Sequence, residues 1–193
     1  RDIGNSLSFK DIIRFIIKPD LRLNTFDIDK KKFLRFFRLF NILKPKILRG
    51  YSSSLYFAAE FLQELDMKVH SPKSIVSSAE RLSKKMRVSI EKVFNSEVYD
   101  SYGAREVSQV AMECKFHKMH ISEENQIVEL ISNNETYGKD LKNIVITNLN
   151  NFCMPIIRYE IGDLAQSLSN ESCGCGRNMS LLNGLAGREN ENI

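Results

Sequence analysis

Two hydrophobic rhythms meet near Gly103. Before it, apolar residues return every three or four positions in segments set between short β-like runs. In "SSSLYFAAEFLQEL" Leu55, Ala58, Ala59, Leu62 and Leu65 share one helical side, and in "AERLSKKMRVSIEKVF" Leu82, Met86, Ile90 and Val93 do the same. The runs "KILRGY", "KSIVSS" and "SEVYD" read as short buried strands around these helices. Strand, helix, strand, helix, strand is the order that builds a parallel sheet with flanking helices. Residues 1–45 read as helical and irregular, broken at Pro19 and Pro45, with Asp29 as the cap of a helix beginning "KKKFLRFF".

Beyond Gly103 the period shortens to two. Val110, Met112, Cys114 and Phe116 alternate with polar residues, and "NQIVELIS", "NIVITNL" and "MPIIRYE" follow as strand-like runs. Turns are expected at "SEEN", "SNNETYGK" and "NLNN". The fold class is therefore α/β: a parallel sheet with flanking helices, followed by an antiparallel, distorted barrel-like β portion. The expected divisions are a basic helical segment at 1–45, an α/β part at 46–108, a mainly β part at 109–186 and a connecting segment at 187–193.

The 193 residues, 42% of them hydrophobic, suffice for a sizeable core. No run of about eighteen apolar residues offers a membrane span. The chain opens on Arg1 without a signal-peptide pattern and reads as part of a longer protein. Its net charge of +4 is uneven, since residues 1–50 carry thirteen Lys/Arg against five Asp while the remainder is net negative. A basic segment can meet nucleic acid or anionic lipid. In "KKKFLRFFRLFNILKP", however, the charges interleave with Phe33, Leu34, Phe36, Phe37, Leu39 and Phe40, which favours a helix with one buried stripe and a solvated basic face. Four cysteines do not make a disulfide scaffold at this size, so a reducing, cytoplasmic setting is expected.

Candidate chemistry begins with "VYDSYGAREVSQVAMEC", residues 98–114. Taken alone, Tyr-Gly at a bend followed by Arg105-Glu106 is a turn with a solvated ion pair. Its place at the carboxyl end of a parallel strand, where open α/β sheets bind ligands, argues for more.

With the elements in this order, "GYSSSLYFAAEFL", "SIVSSAERL", "VYDSYGAREV", "MPIIRYEIGDLA" and "CGCGRNMSLLNGLAGREN" resemble the adenylate-forming enzymes, in particular the phenylacetate–CoA ligase-like branch that includes capsular polysaccharide biosynthesis proteins. The resemblance covers roughly residues 46–192 and implies an internal fragment of the large N-terminal domain of an ATP-dependent acid-activating ligase. It implies that Tyr102 stacks on adenine and that Asp100 and the main chain at Ser101 contact the base edge. Gly103 would let the backbone approach the ligand, and Glu106, the catalytic candidate, would hold Mg²⁺ against the phosphates. Asp163 would accept from the ribose hydroxyls, Arg188 would lie near the nucleotide, and residues 187–193 would start the hinge between a large domain and a small mobile one. Ile161 stands where that family usually has Thr, and Asn190 where its swivelling residue is Asp or Lys. Implied partners are ATP, a carboxylic acid, and CoA or another acyl acceptor.

Cys173-Gly174-Cys175 and Cys114-x5-His120 together supply Cys3His, a donor set for tetrahedral Zn²⁺. Four protein ligands close the coordination sphere, so such a site would be structural. His117 competes with His120 as the fourth ligand, and Cys153 reads as a core residue. Two other functions stay open: a zinc-bearing binding module with a basic arm for nucleic acid, and a scaffold of the same fold without activity. The first leaves Tyr102, Glu106 and Asp163 without a role.

Overall fold

The computed structural model describes residues 20–25, 29–132 and 140–188, with the Arg188 side chain outside that description. The expected helical stretch before Pro19, most of the "SNNETYGK" turn and Asn190 lie outside the described residues.

The basic segment forms helix α1 (Lys30–Leu43). Asp29 caps it, its carboxylate accepting from the Lys32 N–H at 2.7 Å. The helix stops at Lys44, which takes a left-handed conformation and donates its N–H to the Phe40 carbonyl just before Pro45. Phe33, Phe36, Phe37 and Phe40 are buried, whereas Lys30, Lys31, Arg35 and Arg38 face solvent. Burying each phenylalanine contributes about 1.5–3 kcal/mol, which accounts for the helix's attachment without any outside partner.

Three parallel strands follow, β1 (Ile47–Tyr51), β2 (Ser74–Ser78) and β3 (Val98–Ala104), joined by α2 (Ser52–Glu64) and α3 (Lys84–Phe94). Leu55, Ala59 and Leu62 of α2, Ile90 and Phe94 of α3, Ile75 and Val98 join the α1 phenylalanines in one core. Helix α3 begins five residues later than its periodicity suggests. Ala79 sits at φ 69°, outside helical space, and Ser83 is the true cap, its hydroxyl accepting from the Met86 N–H. Residues 79–82 are thus a loop at the carboxyl end of β2, and Leu82 packs from that loop.

The sheet does not end at β3. Strands β4 (Ser108–Glu113), β5 (Met119–Ile121), β9 (Ser167–Ser169) and β10 (Leu181–Asn183) extend it antiparallel in the order β1-β2-β3-β4-β5-β10-β9. A second sheet has the order β11-β8-β7-β6, from β6 (Gln126–Ser132), β7 (Lys142–Asn148), β8 (Tyr159–Ala165) and β11 (Gly187–Arg188). Val110, Ala111, Ile121, Ile144, Ile146, Ala165 and Leu182 form the core they share. The antiparallel portion is therefore partly continuous with the parallel sheet rather than a separate body.

Three local expectations are corrected. The run "MPIIRYE" becomes strand only from Tyr159, because Arg158 at φ 46° interrupts extended backbone, and Met154 and Ile157 are exposed. Cys153 lies on the surface rather than in the core, in the loop ahead of that interruption. The alternation from Val110 ends at Glu113, where His117 at φ 54° helps turn the chain into β5, so Phe116 is half exposed.

Candidate functional site

The "VYDSYGAREV" stretch forms a hairpin with the strand that follows it. Strand β3 continues through Tyr102-Gly103 instead of bending there, and the turn lies at Arg105–Val107, leaving Glu106 exposed at its tip. The β3–β4 register shifts between Tyr102 and Gly103. A Cβ on Gly103 would lie 2.3 Å from the Ser108 carbonyl oxygen, so glycine is required here by the neighbouring strand. That close approach of the neighbouring strand is a structural reason for the glycine in its own right.

Tyr102 packs beside the second core, and its hydroxyl donates to Asp163 Oδ2 at 2.8 Å. This contact links the two sheets across sixty-one residues of sequence. Asp163 lies on β8 directly opposite Arg188 of β11 in the ladder. Ile161, two residues earlier on β8, packs against the second core. An apolar side chain at that position thus has a local reason. Ser101 is buried, and its N–H donates to Asp100 Oδ1 at 3.0 Å. Burial raises the Asp100 pKa to about 6, with the Glu113 carboxylate adding to the shift and the Ser101 N–H and Arg87 opposing it. Tyr102, Asp163 and the backbone of Arg188 are therefore brought together, with Asp100 and Ser101 on the same strand as Tyr102 and Glu106 at the hairpin tip.

The second constellation lies farther along the same sheet. The β4–β5 loop carries Cys114, and the loop from β9 to β10 carries Cys173 and Cys175. Pairing of Leu181 with His120 brings the two loops together. The donor atoms of Cys114, His120, Cys173 and Cys175 all lie within 4.8 Å of one another. Cys114 Sγ and Cys173 Sγ are 3.7 Å apart, and Cys175 Sγ is 3.4 Å from His120 Nε2. Tetrahedral zinc with Zn–S of ~2.3 Å and Zn–N of ~2.0 Å places such pairs about 3.8 Å and about 3.5 Å apart, so the donor set fits that ion.

The surrounding contacts favour the same ion. His120 is buried, and its Nδ1 lies 3.3 Å from the Met179 carbonyl, which can only accept. The proton therefore resides on Nδ1, and the Nε2 lone pair faces the thiols. The N–H groups of Phe116 and Arg177 point at Cys114 Sγ and Cys175 Sγ, each at 3.4 Å. Burial pushes the Cys114 thiol up, but the Phe116 and Lys118 main chain and Cys173 outweigh it and lower its pKa to about 6. His117 is engaged elsewhere: its Nδ1 lies 3.2 Å from Glu113 Oε2 and 3.0 Å from Arg87 Nη1, and its ring stacks on Tyr99.

Sequence patterns gave no sign of two supporting groups. Arg87 Nη2 donates to both Glu113 oxygens at 2.8 and 2.9 Å, joining α3 to β4, although the residues are twenty-six apart. Glu80 accepts from the Ser53 N–H at 2.9 Å and, through its carbonyl, from the Ser52 hydroxyl at 2.8 Å, while Ser52 also meets Ser77 at 2.6 Å. These bonds close the start of α2 against the loop after β2. Neither arrangement follows a periodicity; a Glu directly before a ligand-type Cys was the one available hint.

Comparison with proteins of known structure places this architecture. A 2-hydroxyisobutyryl-CoA ligase in complex with 2-HIB-AMP and CoA superposes with a TM-score of 0.71 at 22% identity, over 84% of this chain and 40% of that one. The chain has the fold of an adenylate-forming ligase. Coronafacic acid ligase from Pectobacterium brasiliense gives a TM-score of 0.58 at 14% identity, covering 86% of this chain and 34% of the other. A long-chain-fatty-acid–CoA ligase from Archaeoglobus fulgidus gives 0.57 at 12%, over 81% and 36% respectively. In sequence, the chain is 25% identical over 152 residues to Protein CapK of Staphylococcus aureus, spanning 78% of this chain and 33% of CapK. It therefore spans a third of that relative and about two-fifths or less of these ligases. No protein-family profile matches it. Among the described residues, no helix is long and apolar enough to cross a membrane.

Proposed function

We propose that the chain is an internal part of an ATP-dependent acid-activating ligase resembling phenylacetate–CoA ligase, with a role in capsular polysaccharide biosynthesis. The observation that carries this reading is the 2.8 Å bond from the Tyr102 hydroxyl to Asp163, which sets an aromatic ring beside a carboxylate at the carboxyl end of a parallel strand. An aromatic face offers adenine a stacking surface worth about 1–3 kcal/mol, by analogy with nucleic-acid complexes. A carboxylate's two oxygens accept from the two ribose hydroxyls. Asp100, Ser101 and Gly103 lie on the strand that carries Tyr102, and Arg188 pairs with Asp163 through the backbone, which supports assigning them to the same nucleotide.

In the adenylation step an acid carboxylate oxygen attacks the α-phosphorus of ATP, the bond to pyrophosphate breaks, and an acyl-adenylate forms. The sulfur of CoA, or another acceptor, then attacks the acyl carbon as AMP leaves. Glu106 at the hairpin tip is the group assigned to Mg²⁺, which when bound neutralises developing phosphate charge. Cys114, His120, Cys173 and Cys175 are assigned to a structural Zn²⁺, supported by their tetrahedral-scale spacing and the bond that fixes the His120 tautomer.

The test is ATP–pyrophosphate exchange by the intact protein across a panel of carboxylic acids. Glu106→Gln is expected to reduce exchange at least ~100-fold with thermal stability within about 1 kcal/mol of wild type, as an exposed turn residue allows. Exchange that persists in Glu106→Gln would remove that residue from the role. Failure of the wild type to bind AMP would sink the reading as a whole and leave an inactive scaffold.

A further inference from the structure

The Cys3His cluster and the Tyr102 strand are joined by one side chain. Glu113 immediately precedes Cys114, and its Oε2 accepts the Asp100 N–H at 2.9 Å. That bond falls where the antiparallel β3–β4 pairing has just ended at Ser101 opposite Met112, so the carboxylate extends the ladder by one residue. The same carboxylate receives Arg87 from α3, and Arg87 also donates to the Val98 carbonyl at the start of β3. A second grip comes from His117, inside the Cys114–His120 loop, which touches Glu113 and stacks on Tyr99 of β3 with ring centroids 5.9 Å apart. Both sides of the Asp100 peptide are thus held by residues at or inside the cysteine loop: Glu113, the last residue of β4, which pairs with Met119, and His117 within the loop.

We propose that Glu113 is a positioning residue that couples the metal-bound state of the Cys3His cluster to the nucleotide strand, so that zinc strengthens nucleotide binding and nucleotide strengthens zinc binding. The proposal rests on the zinc and nucleotide assignments made above. Its physical basis is short. With four ligands held, Cys114 fixes the end of β4, Glu113 keeps its reach to Asp100, and β3 continues through Tyr102. With the ligands released, the β4–β5 loop keeps only its main-chain bonds, from the Cys114 N–H to the Lys118 carbonyl and from the His117 N–H to the Cys114 carbonyl, and Glu113 keeps Arg87, so the Asp100 N–H is left with a less firmly held acceptor. Reciprocity follows from linkage, because each site then biases the same two arrangements of one hairpin.

The experiment uses the intact protein, zinc-loaded or stripped with a chelator, as wild type and as Glu113→Ala, which removes the acceptor altogether. Zinc content, AMP affinity by calorimetry and residue-resolved amide exchange are measured together. In wild type, stripping is expected to speed exchange of the Asp100 amide about tenfold or more and to weaken AMP by about five- to tenfold. The Ile75 amide, which donates to Glu97 inside the other core, should be unaffected. In Glu113→Ala, exchange at Asp100 should already be fast with zinc bound, and stripping should add less than about twofold. A wild-type Asp100 amide indifferent to zinc, or a variant as zinc-sensitive as wild type, overturns the coupling, as does a protein that binds no zinc. The wild-type arm decides alone if the variant folds poorly. Zinc-dependent exchange at Asp100 without AMP binding in either state overturns the link between zinc and nucleotide together with the nucleotide reading, and leaves only a zinc-dependent Glu113–Asp100 contact.

Discussion

The Cys3His cluster and the Tyr102–Asp163 pair sit on one continuous fold but are built in opposite ways. The cluster is compact: four donors, the Met179 carbonyl behind His120, and main-chain N–H groups on two sulfurs come from two short loops and from β5 beside them. The pair is assembled over long range, with one member on each sheet and its neighbours drawn from β3, β8 and β11. A site made from short loops can be set by one ion, whereas a site made across sheets inherits its precision from the core beneath it. Metal removal should therefore act first and most strongly on those loops and reach the pair only through Glu113 and Asp100, whereas changes at the pair should act through ligand binding with little effect on the fold.

The largest effect tests the first half of that contrast. Cys175→Ser is expected to lower zinc affinity by more than the ~10–100-fold that outer contacts to a metal typically cost, because a ligand itself is lost. Content should fall from close to one zinc per chain, and the β9–β10 loop should become susceptible to protease before the α1–α2–α3 core opens. Cys153→Ser, on the exposed surface, should change neither quantity. Equal zinc loss in both variants would mean that the 3.4 Å approach of Cys175 to His120 has no role in binding.

How much of this was legible in the sequence follows the same division. Helix α2, the three parallel strands and the Asp29 cap were readable because their determinants are local: a 3.6-residue period, a short apolar run, a carboxylate one position before the first turn. The four metal-type residues were readable by chemistry, and pairing of β5 with β10 supplied the proximity that spacing alone left open between His117 and His120. What escaped were features set by backbone exceptions. Ala79, His117 and Arg158 adopt positive φ without being glycine, and each displaces an element boundary that the hydrophobic period had placed elsewhere. Arg87–Glu113 escaped for another reason, since an ion pair between a helix and a distant strand leaves no trace in either element's own pattern.

An intermediate effect probes the hairpin that carries the pair. Gly103→Ala is expected to destabilise the protein by about 1–3 kcal/mol, because the new Cβ meets backbone at Ser108, which cannot rotate away as a side chain would. The cost should appear in chemical denaturation and in faster exchange along β3 and β4. Stability within about 0.5 kcal/mol of wild type would show that the register shift relaxes freely and that the glycine answers to something other than packing.

The smallest effect concerns Asp100, which lies between the two sites and senses both. Burial is the main reason its pKa rises to about 6, and the nearby Glu113 carboxylate adds to it, while Arg87 and the Ser101 N–H only partly offset them. A carboxyl group whose folded pKa exceeds its unfolded value of 3.8 favours the folded state while protonated. Its stabilising contribution is therefore complete below pH 3.8 and is lost as pH rises through about 6. Asp100→Asn keeps an oxygen for the Ser101 N–H but cannot ionise. Relative to wild type the variant should gain stability between pH 4.5 and pH 7, and the difference should level off above that range. Denaturant titrations of both proteins across this interval give the comparison directly. A stability difference that stays constant with pH would mean Asp100 ionises in the fold as it does in the unfolded chain, and that the Glu113 carboxylate is matched in full by Arg87 and its other donors.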